Sequence, residues 1–309
     1  MSGTEKYPVV SVIIPHFNDL VGLDLCLDAL AIQQVEVETE FIVADNNSIV
    51  GIEEVRKVVA GRARLISVME KGAGPARNGG VSIATGEVLA FIDSDCIASP
   101  DWIAQGLKML GKFDVIGGHV TVITRDRAIT GVEGFELLFA FNFANYISAK
   151  GFCGAGNMFV RRSVFDVVGG FSKNVSEDVE WCHRATSRGY TLGYGELARV
   201  GHPARRTWKE LISKWKRLQT EMYLLGKSKK VGRTRWLVKT WLMPLSAIYH
   251  TPKVLRSRRL ANWSERFSAL KILYLIRLWR FVDGNRLFFR GERREPDMLA
   301  TVAWYLRNQ

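Results

Sequence analysis

Apolar residues fall along this chain in two alternating rhythms. Short apolar runs at residues 9–15, 40–45, 63–68 and 88–92 are rich in Val, Ile and Leu and bounded by polar residues. They read as strands buried on both faces. Between the first two, Leu20, Leu23, Leu27 and Leu30 recur at i, i+3, i+7 and i+10, one apolar face of a helix. Residues 52–60 and 75–84 fill the next two gaps as helices. This alternation predicts an α/β fold: a Rossmann-like, mostly parallel twisted sheet with helices on both faces. Ligands of such sheets bind beyond the carboxyl ends of the strands. There the chain carries Pro15-His16-Phe17-Asn18, Asp45-Asn46-Asn47-Ser48 and Asp93-Ser94-Asp95, so three strand ends are expected to converge on one crevice.

The middle of the chain is mixed. The pattern predicts a helix over 102–112, a strand over 115–124, a Gly-rich segment at 151–157, a strand at 158–161 and a helix over 177–188. After Gly201-His202-Pro203 the composition changes. Residues 208–225 read as an amphipathic helix, and a stretch rich in Trp, Leu, Arg and Lys follows. The longest apolar run there, 236–249, is interrupted by Lys239 and Pro244. It falls short of the roughly 18–20 residues needed to span a bilayer. Residues 269–282 mix Leu, Ile, Trp and Phe with Lys271, Arg277 and Arg280, the signature of a helix lying in a membrane interface. A helix packed on the front domain with a solvated basic face is the alternative.

Charge sharpens this division. Of the net +12 of the 309 residues, positions 205–294 hold 24 Lys and Arg against 5 Asp and Glu, a net +19, and the remainder carries −7. Two units are expected, 1–208 and a basic, aromatic-rich helical extension 209–309. With 47% hydrophobic and 24% charged residues, disorder is not the default. The four cysteines are scattered and form no Cys-x-x-Cys pair, which suggests neither a zinc site nor a disulfide framework. Cys96 and Cys153 read as packing residues. The first fifteen residues lack the regions of a signal peptide. The expectation is a cytoplasmic protein, held peripherally at the inner face of the membrane by its basic rear.

The polar segments suggest chemistry. Charges are not left at the end of a buried strand without a partner. Asp93 and Asp95 are therefore expected to meet a divalent metal that bridges a bound phosphate, although Asp-Ser-Asp is also ordinary turn chemistry. Gly72-Ala73-Gly74-Pro75-Ala76-Arg77-Asn78 offers a helix start facing an anion, or a plain loop-to-helix junction. Asp45 suits a ribose hydroxyl or a base imide, and suits an Asx-turn equally well. Glu177, Asp178 and Glu180 complement the dipole of a helix start, and Asp178 there is also a candidate general base. His202, beside Arg205 and Arg206, is a candidate third metal ligand or diphosphate contact, or a structural histidine.

Taken in order, these segments resemble glycosyltransferase family 2, the inverting nucleotide-sugar transferases of the GT-A fold. The likeness is carried by Val12-Ile13-Ile14-Pro15-His16-Phe17-Asn18, Phe41-Ile42-Val43-Ala44-Asp45-Asn46-Asn47-Ser48 and Gly74-Pro75-Ala76-Arg77-Asn78. It continues through Gly86-Glu87-Val88-Leu89-Ala90-Phe91-Ile92-Asp93-Ser94-Asp95, Gly154-Ala155-Gly156-Asn157 and Glu177-Asp178-Val179-Glu180-Trp181-Cys182-His183-Arg184. It covers about residues 9–208, and His16 stands where the family often has Tyr. The resemblance implies a nucleotide site formed by Pro15, His16, Asn18, Asp45, Asn47, Gly74, Arg77, Asn78, Asp93 and Ser94. It implies Mg²⁺ or Mn²⁺ on Asp95 with Asp93 and His202. Asp178 becomes the base, with Glu177 positioning acceptor or base, and Gly154, Ala155, Gly156, Asn157 and Trp181 line the donor-sugar and acceptor region. The implied partners are a nucleotide-sugar donor, with uridine favoured, a lipid-linked saccharide acceptor of bacterial surface polysaccharide assembly, and an anionic membrane surface.

Two other readings compete. A nucleotidyltransferase shares such a sheet, but the chain lacks an extended Gly-rich, Lys-containing loop after its first strand. A nucleic-acid-binding protein would use the basic rear and its tryptophans, and it leaves the strand-end carboxylates unexplained, so no nucleic acid partner is expected.

Overall fold

The computed structural model describes residues 10–124, 128–173, 176–227 and 232–290. Its front follows the predicted alternation: β1 (Val10–His16), α1 (Leu20–Ala31), β2 (Thr39–Asp45), α2 (Ile52–Val59), β3 (Arg64–Ser67), α3 (Ala73–Ile83) and β4 (Val88–Ile92). β1 pairs in parallel with both β2 and β4, and β2 with β3. The period of two along a pleated strand divides each strand between two cores. Val10, Val12, Ile14, Val88, Ala90 and Ile92 join one hydrophobic cluster with α1 and α2, while Ile13, Leu89 and Phe91 join a second on the opposite face. Ser11, buried among them, donates to Glu40 Oε1 at 2.7 Å and accepts from the Gly86 amide at 2.8 Å.

Beyond β4 the sheet becomes mixed, and four of the seven pairings among the described residues are parallel, in keeping with the mostly parallel expectation. The chain adds β5 (Ile97–Ala98), α4 (Trp102–Leu110), β6 (Val115–Ile123), α5 (Gly131–Phe139), α6 (Phe143–Lys150), β7 (Asn157–Arg161), α7 (Arg162–Val168), α8 (Glu177–Ser187) and β8 (Leu192–Pro203). The eight strands form one sheet in the order β3-β2-β1-β4-β7-β6-β8-β5. β7 runs antiparallel to β4 and β6, β8 parallel to β6, and β5 antiparallel to β8. Residues 192–203 give no strand signal because Gly193, Gly195, Glu196, Arg199 and Gly201 break the alternation. Pairing with β6 holds that segment extended instead, across a register shift between Gly118 and His119.

The rear consists of α9 (Trp208–Lys227), α10 (Gly232–Trp241), α11 (Met243–Leu255) and α12 (Trp263–Arg290). The apolar run 236–249 is divided between α10 and α11, with Pro244 in the first turn of α11, where its missing N–H costs no helical bond. Among the described residues no helix is long and apolar enough to cross a membrane. A third core joins Val132, Phe135 and Leu138 of α5 to Leu211, Ala247, Val254, Leu260, Ala269, Leu273 and Ile276. The rear helices are thus seated on a helix supplied by the front half.

A buried charge cluster fastens this seam. Glu136 of α5 accepts from the Arg205 amide at 2.9 Å, from the Arg205 guanidinium at 3.1 Å and from Lys214 Nζ of α9 at 2.8 Å. Burial works against its charge, but Lys214 and Arg205 outweigh it and hold the carboxyl below its ordinary range. Arg206 lies 3.7 Å from Glu133, which also closes a capping box with Thr130 at the start of α5. Arg205 and Arg206, read from sequence as tilting toward a bound anion, are therefore matched by carboxylates of their own chain. Replacing Glu136 with Ala leaves two cations facing a buried gap and is expected to destabilise the fold by about 3 kcal/mol. Urea unfolding measures this, and a loss below about 1 kcal/mol would mean that water already screens the cluster.

Candidate active site

The three strand ends converge as expected, but they divide the work differently. At the first two, the polar groups hold one another. Asp45 is buried and takes the His16 ring at 2.8 Å, the Ser48 hydroxyl at 2.5 Å and the Ser48 amide at 3.0 Å. Burial opposes its charge, yet these bonds outweigh it and hold its carboxyl below the usual range. His16 is equally buried, and its Nε2 has no partner among the described residues. The neighbouring turns interlock: the Asn18 amide donates to Ser48 Oγ at 2.9 Å, and the Ile49 amide to Asn18 Oδ1 at 2.7 Å. Asn18 and Asn47 have φ of 59° and 57°, left-handed values that Asn tolerates better than most residues. Pro15 is half-buried and Asn47 exposed at the rim.

The third strand end carries open charge. Asp93 and Asp95 follow β4, and Ser94 lies half-buried between them. Arg77, on the second turn of α3 and 4% exposed, donates to Asp93 Oδ1 at 2.6 Å and to Glu177 Oε1 at 2.8 Å. Desolvation opposes its charge, but Asp93 and Glu177 outweigh it, so the guanidinium is held more firmly protonated than usual. Arg77 is thus a bridge between the strand-end carboxylates and the start of α8. Glu177 is held by Arg77, and Asp178 beside it lies in the first turn, its Oδ1 accepting from the Val179 amide at 2.8 Å. Burial first, and the neighbouring Glu177 charge second, push the Asp178 carboxyl up to about 7. A carboxylate with that affinity for protons is suited to accept one near neutral pH.

Glu221 of α9 completes this acidic corner. It accepts from Ser176 Oγ at 3.3 Å, and burial, with Glu177 nearby, raises its own carboxyl above the ordinary range. It stands 45 residues from Ser176 in sequence, and no local pattern announces it.

His202 reaches Asp95 through the sheet. Antiparallel pairing sets Gly201 opposite Ile97, which carries the next residue of β8 toward the β4–β5 turn. His202 Nε2 lies 3.4 Å from Asp95 Oδ2, and its Nδ1 is 2.8 Å from the Pro203 carbonyl. A carbonyl only accepts, so Nδ1 carries a proton, and in the neutral imidazole Nε2 is the lone-pair nitrogen that faces the carboxylate. Two acceptors so placed fit a cation between them, with the Pro203 carbonyl orienting the ring. Among the described residues, however, no group of three or more His, Cys, Asp and Glu forms a complete cage. Asp93, expected as a metal ligand, has one oxygen committed to Arg77.

Several residues expected at the ligand are structural. Asn78 clasps Phe171, donating to its carbonyl at 2.9 Å and accepting from its amide at 2.8 Å. Gly74 is buried, and a Cβ there would meet Ser172 O at 3.1 Å and Glu177 Cβ at 3.4 Å. Asn157, fully buried, accepts from Trp102 Nε1 at 2.9 Å and donates to the carbonyls of His119 and Ala198. Trp181 is equally buried, donating to the Gly169 carbonyl at 2.7 Å and stacking on Phe165, and Ala155 lies in the same core. In the structure these three side chains are buried and hold the sheet and α8 in place. Gly154 abuts Phe143, whereas Gly156 faces the carboxylates: a Cβ there would come within 2.3 Å of Asp93 Oδ2.

Comparison with known proteins places the chain in a family. The profile described as Glycosyl transferase family 2 matches residues 11–169. The protein named Glycosyltransferase AglE, from Haloferax volcanii, is 30% identical over 236 residues, 72% of this chain and 77% of that one. Validoxylamine A glucosyltransferase of Streptomyces hygroscopicus subsp. jinggangensis is 33% identical over 109 residues, 34% of this chain but only 26% of its own length. Among solved structures, S. aureus TarS 1-349 aligns over 90% of this chain and 74% of that one, with a TM-score of 0.49 and 16% identity. On the profile match and the long alignment, the chain belongs to glycosyltransferase family 2.

Proposed function

We propose that this glycosyltransferase moves a hexosyl group from a nucleotide diphosphate sugar, UDP-linked, to a hydroxyl of a lipid-linked saccharide, with inversion at the anomeric carbon. The observation that carries the reading is the Arg77 bridge, which ties the strand-end carboxylates to the helix that presents Asp178. Asp178 takes the acceptor proton as the acceptor oxygen bonds to the anomeric carbon. The bond from that carbon to the diphosphate oxygen breaks on the opposite face, its electron pair leaving with the diphosphate. Asp95 and His202 are the residues that would hold Mg²⁺ or Mn²⁺, which supplies charge neutralisation on the departing diphosphate. A saccharide-polymer product is supported by likeness to the relative named Chondroitin synthase, from Pasteurella multocida, 31% identical over 110 residues, 35% of this chain and 11% of that one.

Asp178→Asn is nearly isosteric but accepts no proton. Turnover is expected to fall by about 10²–10⁴ with donor binding retained. Wild-type turnover should rise with pH through about 7, as Asp178 loses its proton, and this limb should vanish in the variant. Stability gives an independent readout. The folded-state pKa lies above the unfolded one, so the ionised carboxylate destabilises the fold increasingly from about pH 4 and fully above about pH 7. Asparagine mimics the neutral acid, so the Tm of the variant should exceed wild type most clearly at pH 8. Loss of donor binding, or an unaltered pH profile, would move the base elsewhere.

The metal assignment is tested by chelation. EDTA should abolish transfer, Mn²⁺ should restore it, and Asp95→Ala should lose both restoration and Mn²⁺ binding while remaining folded. Full activity in EDTA would remove the cation from the reading.

The basic rear supports docking on an anionic bilayer. Leu242, Leu245, Ile248 and Tyr249 form an exposed apolar stripe on α11, Tyr249 being 81% exposed. α12 is apolar on two sides, with Ala269, Leu273 and Ile276 buried and Phe267, Tyr274, Leu278 and Val282 exposed. One face of such a helix is packed and the other is exposed, an arrangement that supports docking in an interface. Basic residues around these stripes each contribute about 1 kcal/mol near anionic lipid. The full-length protein should sediment with anionic vesicles and be partly released by high salt. The exposed-site variant Leu245→Ser/Ile248→Ser/Tyr249→Ser should stay in solution. Equal sedimentation of the two proteins, or no preference for anionic over neutral lipid, would defeat this part of the reading.

A further inference from the structure

Cations of the seam and of α9 meet carboxylates: Arg205 and Lys214 face Glu136, Arg206 faces Glu133, and Arg217 faces Glu221. Four others do not. Lys150 ends α6, Lys239 lies near the end of α10, and Arg277 and Arg280 stand one turn apart on α12. Among the described residues none of the four has an Asp or Glu oxygen at ion-pair distance. Arg280 lies 4.0 Å over the Trp215 ring and donates from Nε to Gln219 Oε1 at 3.0 Å; its terminal nitrogens make no hydrogen bond among those residues. Arg277 reaches only Met243 Sδ, at 3.6 Å, and its buried Nε has no partner. The two arginines are half-buried, and the two lysines are exposed at the rim.

α10 and α12 pack together beside these groups, with the Trp241 and Phe281 ring centroids 5.5 Å apart, and Lys150 lies within electrostatic reach of Lys239 and Arg280, as Arg280 does of Arg277. Burial, then Lys239 and Arg280, lowers the Lys150 pKa; burial, then Arg277, pushes Arg280 down to about 9. Crowding like charges in a partly dry site is costly unless a counter-charge arrives.

The cluster adjoins the acceptor side of the proposed reaction. The Lys150 carbonyl accepts from His183 Nε2 at 3.1 Å, little more than a turn along α8 from Asp178. Tyr146, under Lys150 Nζ at 4.6 Å, stacks on Phe152, which meets the His183 ring edge-on. Trp215 and Gln219 belong to α9, the helix that also places Glu221 at the acidic corner. An open apolar track begins beside the cations: Trp241, 62% exposed, packs edge-on against Phe281, next to Arg280, and Leu278 and Val282 are exposed on the same helix.

We propose that Lys150, Lys239, Arg277 and Arg280 form a binding site for the phosphoryl group of a lipid-borne acceptor, with the adjoining apolar track receiving its hydrocarbon chain. The arginine forks match phosphoryl oxygens, and the lysines supply mobile positive charge at the rim. The adjacent apolar surface favours a phosphorylated lipid over free phosphate. The assignment rests on the lipid-acceptor reading above and adds to it the group by which the acceptor is recognised.

The test is binding of polyprenyl monophosphate, in nonionic detergent micelles, to the full-length protein, with polyprenol and inorganic pyrophosphate as companion probes. Polyprenyl phosphate should bind and polyprenol should not. The exposed-site double variant Lys150→Ala/Lys239→Ala and, separately, Arg280→Gln should each weaken binding roughly tenfold or more. Both should bind UDP as wild type does. Unchanged affinity in the double variant, or equal binding of polyprenol, would overturn the site. Pyrophosphate competing as strongly as the lipid would reassign it to free phosphate and overturn the lipid-borne form. Parallel loss of UDP binding would place the cluster on the donor side and likewise overturn the proposal. Failure of the sugar-transfer reading itself would appear separately, as absence of donor turnover in a protein that still binds polyprenyl phosphate.

Discussion

One buried guanidinium holds this site together. Arg77 joins Asp93, 16 residues away, to Glu177, 100 residues away. A charge at that depth is tolerable only beside opposite charge; the two terminal nitrogens of Arg77 meet one carboxylate each, while its buried Nε has no partner among the described residues, so both carboxylates are constrained by the same group. Glycine lets them approach. A side chain at Gly156 would displace the Asp93 carboxylate, and one at Gly74 would crowd Glu177. The consequence reaches Asp178, whose proton affinity is raised by burial and by the fixed charge of Glu177 beside it. The geometry of the bridge therefore fixes the strand end against α8 and holds the Glu177 charge beside Asp178.

The second dependence is between the sheet and the rear helices. β8 brings His202 to Asp95 by pairing with β5, and immediately afterwards delivers Arg205 to Glu136. The strand that brings His202 to Asp95 thus also fastens α9, and α9 in turn carries Glu221 to Ser176 at the start of α8 and Trp215 and Gln219 to Arg280. Matched and unmatched cations then have different meanings. Those facing Glu133 and Glu136 fix the architecture, whereas those on α6, α10 and α12 retain unused hydrogen-bonding capacity. α12 shows the same duality in its apolar residues, one face filling the third core and the opposite face open.

Much of this was legible along the chain. The apolar runs and the Leu spacing identified the parallel front, because strands buried on both faces and helices with one buried face leave different periods in the sequence. The short polar segments at the strand ends come together in the fold, and Arg77 ties Asp93 to Glu177 there. The basic bias after residue 204 and the mixture of Trp, Leu and Arg marked α12 as a helix of unusual character. Residue type alone leaves the part played by other residues open. Asn78, Asn157 and Trp181 carry groups that bind ligands well, and the same groups satisfy buried backbone equally well.

What the sequence by itself determined was the set of local periods and the order of the polar segments, since both follow from neighbours within one turn or one pleat. The tertiary structure alone decided which charges meet. Arg77 with Glu177, Asp95 with His202, Glu136 with Lys214 and Ser176 with Glu221 are all long-range pairs, and β8 is a strand only because β6 lies beside it. Electrostatic partners are chosen by distance in space, and burial sets the strength of each pair. Neither quantity is written in any short window of the chain.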